Sequence, residues 1–311
     1  MSTDAAFAAE SRVPQVLAGA IIPTALASIF AIARLYTRSI VTRNWGADDT
    51  CIAIAWISSI GLAISNCIFT QYGTGHHTII PNPANIIPTL KLAFASQLLY
   101  QFTLAITKVG ICLFYLRIFQ DRVSKILVYL ITGFVVLTFL PLELGVVFRC
   151  SPVSDAWKFG NANCAAQNPR VFAAAACNIF ADVLLMAFVF PRFASLKMGR
   201  RQKISLMAIV SLGFLVIIVA IIRVARVAHL ADDLDLSWDG YDVTTWSSVE
   251  VSTGIFCASA PCIRPLLRQI APGFMSSISA TFSGPRTHTP ATKSNIYGAG
   301  TLKSRLRGRD R

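Results

Sequence analysis

Residues 126–148 read ILVYLITGFVVLTFLPLELGVVF, with a single charge, Glu143, and no continuous polar face. A helix of this length rises about 35 Å, enough to cross a hydrocarbon layer of about 30 Å. A soluble amphipathic helix would need a polar stripe, and this stretch has none. Six further stretches share the character: 16–36, 49–70, 92–116, 171–190, 204–226 and 246–267. Lipid offers no partner for backbone N–H and C=O groups, so each stretch is predicted to be an α-helix. The fold expected is an all-α membrane protein, a seven-transmembrane helix bundle. Residues 16–270 form the membrane domain, 1–15 a short extracellular N-terminus, and 271–311 a disordered basic cytoplasmic tail rich in Ser, Thr, Gly and Arg.

Composition agrees. The chain is 54% hydrophobic and 14% charged, where soluble domains carry about 25% charged residues. The net charge of +13 invites a nucleic-acid reading, but its distribution argues otherwise. Twenty basic residues follow helices 1, 3, 5 and 7, and five lie on the opposite side. This bias is an orientation signal that places the N-terminus outside and the C-terminus in the cytoplasm. The partners expected are the lipid bilayer, a small-molecule ligand or lipophilic substrate, and a cytoplasmic partner at the basic inner loops, with no nucleic acid. Arg192–Lys203 and Lys303–Arg311 supply that basic surface, and the latter suits anionic head groups. Residues 1–15 lack the basic start of a signal peptide, so helix 1 is expected to direct insertion. No N-x-[ST] acceptor occurs. The plasma membrane is the expected location, with the endoplasmic reticulum as the alternative.

Of the eight cysteines, Cys150 and Cys164 fall in an expected outside loop, where oxidation is permitted, and a disulfide between them is expected. Cys67, near the outer end of helix 2, is the competing partner. No C-x-x-C spacing supports a metal site. The loop Tyr72–Asn85 holds His76 and His77 among glycines and prolines, and one pair without a carboxylate reads as solvated side chains. Asp232, Asp233, Asp235, Asp239 and Asp242 are expected in an outside loop, without the spacing of a calcium loop. No metal is expected.

Ionisable groups inside lipid are costly and point to function by default. Here they are Lys108, Glu143, Asp182, Arg223, Arg226 and Glu250. Helix direction places Glu143, Arg223 and Glu250 in the outer part of the bundle and Asp182 near its middle. The reading is an outward-opening polar cavity formed by Glu143, Arg223, Asp182 and Glu250, with Trp246 at its mouth. Asn178 lies one turn before Asp182 on the same face, and Lys108 completes the ligand-binding candidates. The bland alternative pairs Glu143 with Arg223 and Lys108 with Asp182, and lets Arg226 snorkel. Retinal is rejected as a cofactor, since helix 7 has no lysine for a Schiff base. No catalytic triad, phosphate loop or nucleotide signature is present. Asp48 and Asp49 open helix 2, where carboxylates cap free N–H groups and meet the helix dipole. Arg38 and Arg43 face them in the preceding loop.

Several motifs carry a resemblance. They are Arg34-x-Tyr36-x-Arg38 with Trp45-Gly46-x-Asp48-Asp49; Lys108 followed by Phe114-Tyr115-x-Arg117-Ile118-Phe119; and Cys150-x-Pro152 with Trp157 and Cys164. Asn178-x3-Asp182 with Pro191, then Lys203, Gly213 and Arg223, and finally Glu250, Gly254, Cys257, Pro261 and Arg264-Pro265-Leu266 continue it. Over about residues 20–270 the chain resembles the fungal rhodopsin-domain seven-helix membrane proteins. That family includes receptor-like surface-sensing proteins and members encoded in mycotoxin clusters, the satratoxin cluster among them. The resemblance implies a receptor-like protein that binds a small ligand. The alternative it implies is a membrane protein of secondary-metabolite biosynthesis, either an enzyme using buried carboxylates on a lipophilic substrate or an export accessory. With about 15 residues before helix 1, the cysteine-rich domain of some receptor-like relatives is not expected.

Overall fold

The computed structural model describes residues 11–72, 83–157, 164, 168–195, 200–232 and 236–263, with the side chains of 83, 84, 168, 193–210, 229–241 and 263 outside that description. The described residues are helical almost throughout. Helix α1 is Val13–Tyr36, continued by a π-helical turn at Thr37–Val41; α2 is Ala47–Phe69 and α3 is Pro83–Ile118. Next come α4, Arg122–Val147, and α5, Asn168–Ser195, and then α6, Arg200–Asp232, and α7, Leu236–Ser259. Six of these, α1 to α6, are long and apolar enough to cross a membrane.

The exception is α7, and its surroundings explain why. It packs on α1, α2, α3 and α6, and Ser247, Ser248, Glu250, Ser252 and Ser259 are buried along it. Ser247, Ser248 and Glu250 find partners in the surrounding protein, so α7 needs no apolar coat there. Asn66 Nδ2 of α2, for instance, donates to Ser248 Oγ at 2.8 Å. Lipid-type exposure falls instead on α1, α4 and α6, through Ile22 and Ile29, Leu130 and Leu137, and Phe214 and Ile218.

Every helix begins before its apolar stretch, α3 and α7 by the most. The α3 helix starts at Pro83 instead of residue 92. Proline is tolerated in a first turn because its missing N–H has no intrahelical partner there, so Pro83 opens the helix it was expected to exclude. The α6 helix runs to Asp232 and α7 starts at Leu236, so Asp232, Asp239 and Asp242 lie on helix where a loop is expected, and Asp233 and Asp235 lie outside the described residues. His76 and His77, the basic residue Lys197, Arg264-Pro265 and the tail 271–311 lie outside the described residues.

Cys150 and Cys164 form the disulfide, and Cys67 is a free thiol. The bond ties the end of α4 to the following loop. There the ring of Trp157 packs edge-on to Phe94 of α3 with centroids 6.1 Å apart. At the other end of α4, Asp121 caps the helix by accepting from the Ser124 amide at 2.9 Å, and Arg192 of α5 reaches the same oxygen at 3.1 Å.

Candidate functional site

Helical spacing sets up the site. Tyr100 and Lys108 lie two turns apart on α3, Asn178 and Asp182 one turn apart on α5, and Ser247 and Glu250 about one turn apart on α7. Each pair therefore shares a face. Those faces meet in the bundle interior, where Tyr100, Lys108, Asp182 and Glu250 are all buried. Glu250 is the hub. Its Oε2 accepts from the Tyr100 hydroxyl at 2.6 Å, and its Oε1 accepts from Asn178 Nδ2 at 3.0 Å. Arg223 Nε of α6 stands 3.7 Å from Oε2 and donates to Ser247 Oγ at 3.0 Å. The Arg223 guanidinium also lies over the Tyr100 ring, 4.1 Å from its centroid. On the other side of Asn178, Lys108 pairs with Asp182 and donates to the Asn178 carbonyl at 3.1 Å. Two cations and two carboxylates are thus matched in one chain of contacts across α3, α5, α6 and α7. Burial makes each pair expensive to break, because the survivor would be an unpaired charge in low dielectric.

Beside this network, between α3, α4 and α5, is a cavity of about 40 Å³. Its polar wall is Gln101, Lys108, Thr138, Glu143, Cys177 and Asn178. A single water needs roughly 10–15 Å³ by this measure, so the space holds about three. Glu143 Oε2 is buried and has no hydrogen-bond partner among the described residues, and the same is true of Asp182 Oδ2. Buried oxygens without a donor are rare in native proteins and call for an explanation.

Retinal does not fit these residues. The buried lysine, Lys108, has its amine held by Asp182 and the Asn178 carbonyl. The cavity beside it is far smaller than the roughly 300–1,000 Å³ of sites for drug-sized ligands. Among the described residues no three His, Cys, Asp or Glu side chains gather as metal ligands.

Five of the seven residues singled out from sequence, Lys108, Asn178, Asp182, Arg223 and Glu250, are joined directly. Glu143 stands across the cavity from Lys108 and Asn178, and Arg223 pairs with Glu250 in place of Glu143. Trp246 is half-buried, one turn before Glu250 on α7, and outside the network. Tyr100, Ser247 and Gln101 were missed. The eight-residue interval from Tyr100 to Lys108 was the available signal, since it places the phenol on the lysine's face.

A second polar cluster closes the opposite end of the bundle. Arg34 of α1, 1% exposed, donates from Nε to Asp49 Oδ1 at 2.9 Å and from Nη2 to Asp48 Oδ2 at 2.6 Å. Its Nη1 donates to the Ala258 carbonyl of α7 at 2.6 Å. Arg117 of α3 reaches Asp48 at 3.3 Å, and Arg38 lies 3.6 Å from Asp49. Asp49 still caps α2, accepting from the Gly46 amide at 3.1 Å. Asp49 therefore caps one helix, and the two aspartates together bind three arginines, tying α1, α2 and α3 together, with Arg34 carrying the link to α7.

Comparison with known proteins agrees with this architecture. The chain is 25% identical over 228 residues to a SAT4 family membrane protein of Emericella nidulans, covering 72% of this chain and 57% of that one. It is 23% identical to the polyenoic acids biosynthesis gene cluster protein Ba17b of Metarhizium anisopliae, covering 81% of this chain and 74% of that protein. It is 24% identical to Receptor GIN3 of Arthrobotrys oligospora, covering 62% and 47% respectively. The chain thus spans about half the length of two of these relatives. No solved structure matches. The model of the fungal rhodopsin domain matches residues 33–269, a stretch that holds both polar clusters and the disulfide, and the chain belongs to that family of membrane proteins.

Proposed function

We propose that this chain is a receptor-like multi-pass membrane protein that binds a small ligand in the cavity between α3, α4 and α5. The observation that carries the reading is Glu143, whose Oε2 is buried and unpartnered, on the wall of that space together with Lys108 and Asn178. A ligand there touches the side chain of Asn178, which donates to Glu250, so occupancy is coupled to α6 and α7 through Arg223 and Ser247. In this reading α7 is the seventh span, polar because protein surrounds it. The N-terminus lies outside and the C-terminus in the cytoplasm, as the basic-residue bias requires. The plasma membrane is the proposed location. The relative named as a receptor supports this reading without transferring its ligand.

The second reading, a membrane protein of secondary-metabolite biosynthesis, is favoured by one specific observation: the likeness to Ba17b runs over most of both chains. Asp182 and Glu250 are poor acid–base candidates in that reading, because each faces a cation. Glu143 is the better one. The experiment that separates the two is metabolite profiling of a deletion strain complemented with wild type or Glu143→Gln at matched protein levels. An unchanged profile is expected. One defined intermediate accumulating in both the deletion and the variant would overturn the receptor reading.

A further inference from the structure

The geometry points to the chemistry of the ligand: we propose that the α3/α4/α5 cavity takes a primary ammonium group. The proposal rests on the cavity being a binding site and names what that site selects.

The argument is a balance of charge among fixed partners. Lys108 is matched by Asp182 and by the Asn178 carbonyl. Arg223 is matched by Glu250, Ser247 and the face of Tyr100. Glu143 of α4 is the remaining ionisable group on the cavity wall besides Lys108 and Cys177, and no described cation pairs with it. With the carboxylates ionised, the buried cluster is one positive charge short. The orphaned atom on the cavity wall, Glu143 Oε2, is an acceptor, so the missing partner is a donor. A donor that also carries positive charge satisfies both requirements. An anion satisfies neither, because the cation that lines the cavity is already engaged by Asp182.

Size narrows the class. Space for about three waters exceeds what a lone proton needs and suits the head of an aliphatic amine. The remaining wall, including Val135, Phe139 and Leu142, is apolar and suits the attached carbons. Such a group can come from a free amine or from the head group of an aminophospholipid, and the chemistry at Glu143 is the same.

The test uses the full chain in phosphatidylcholine nanodiscs, whose head group has no N–H donor. Sodium chloride is replaced stepwise by ethylammonium chloride at fixed ionic strength, and thermal unfolding is followed. Ethanol and sodium acetate are the size-matched neutral and anionic probes. A ligand that binds the folded state raises the unfolding midpoint with its concentration. Ethylammonium is expected to raise the wild-type midpoint, and ethanol and acetate are expected not to. Glu143→Gln is expected to unfold at or above the wild-type midpoint without ligand, because it removes an unpaired buried charge, and to lose the ethylammonium shift. Ala174→Val, which narrows the cavity while keeping Glu143, is expected to lose the shift as well. Phosphatidylethanolamine in the disc abolishes the shift if the lipid is the source, and leaves it intact if a free amine is. An equal shift by ethanol or acetate overturns the ammonium class and leaves a binding cavity. No shift by any probe overturns both the class and the cavity. An ethylammonium shift that survives in Glu143→Gln overturns the assignment to this carboxylate.

Discussion

Replacing Arg34 by methionine tests whether the end of the bundle is held by charge matching. The substitution keeps an unbranched side chain but deletes hydrogen bonds of 2.9, 2.6 and 2.6 Å, two to Asp49 and Asp48 and one to the Ala258 carbonyl. Breaking a buried ion pair costs about 3–5 kcal/mol because a charge is left without a partner. Here the loss is cushioned. Arg117 remains 3.3 Å from Asp48, and Arg38 remains 3.6 Å from Asp49, so two guanidiniums still face two carboxylates. The expected cost therefore sits at the low end, about 3 kcal/mol, or roughly a hundredfold in the unfolding equilibrium. Asp48→Asn with Asp49→Asn is the harsher perturbation, since three guanidiniums then face no carboxylate, and its cost should reach or exceed about 5 kcal/mol. Equilibrium unfolding in bicelles measures both variants. The reasoning fails if Arg34→Met stays within about 1 kcal/mol of wild type, the range of an exposed pair. It also fails if the double asparagine variant proves as stable as Arg34→Met.

Three further outcomes are expected. Tyr100→Phe keeps the ring beneath Arg223 but removes the 2.6 Å donor to Glu250, a loss of about 2 kcal/mol for a bond to a charged group; an unshifted unfolding curve would show that this bond contributes nothing. Cys150→Ser opens a link between residues 14 apart in sequence, worth about 3 kcal/mol in the chain-entropy account, and the difference should vanish when wild type is measured under reducing conditions. At the start of α4, Asp121 is held below its ordinary value of 3.8, first by hydrogen bonding from Ser124 and then by the Arg192 guanidinium. A depressed folded-state value means that this cap contributes fully above the unfolded value and is lost as pH falls through the folded one. Amide exchange at Ser124 should therefore accelerate as pH drops below about 3.8, beyond its intrinsic pH trend, and Asp121→Asn should remove that excess.

The helices from α1 to α6 were legible because lipid permits only continuous apolar segments with internally satisfied backbones. Where protein replaces lipid, that signal fades. The first ten residues of α7 read as an acidic loop, and Pro83 reads as a breaker. Pairing was legible when sequence made it local, as with the aspartates that open α2 beside Arg38, or when depth left one sensible partner, as for Lys108 and Asp182. It failed for Glu143 and Arg223. Charge and depth allowed that pair, but helix rotation, which no single-helix pattern encodes, turns Arg223 toward Glu250. Tyr100 went unnoticed for a related reason: a tyrosine on an apolar helix reads as packing until a carboxylate 150 residues away is placed against its hydroxyl.

The contacts of Arg34 also have an order in time. Asp48 and Asp49 leave the ribosome 14 and 15 residues after it, and Ala258 follows only after 224. Arg34 lies in the last turn of α1, and a buried guanidinium there needs partners close by. The aspartates at the start of α2 supply two of those partners from the next helix in the chain. The third, Nη1, is satisfied by the Ala258 carbonyl, a partner that exists only with α7 in place. The first helix thus carries a built-in check on completion, satisfied only once the last described helix has docked.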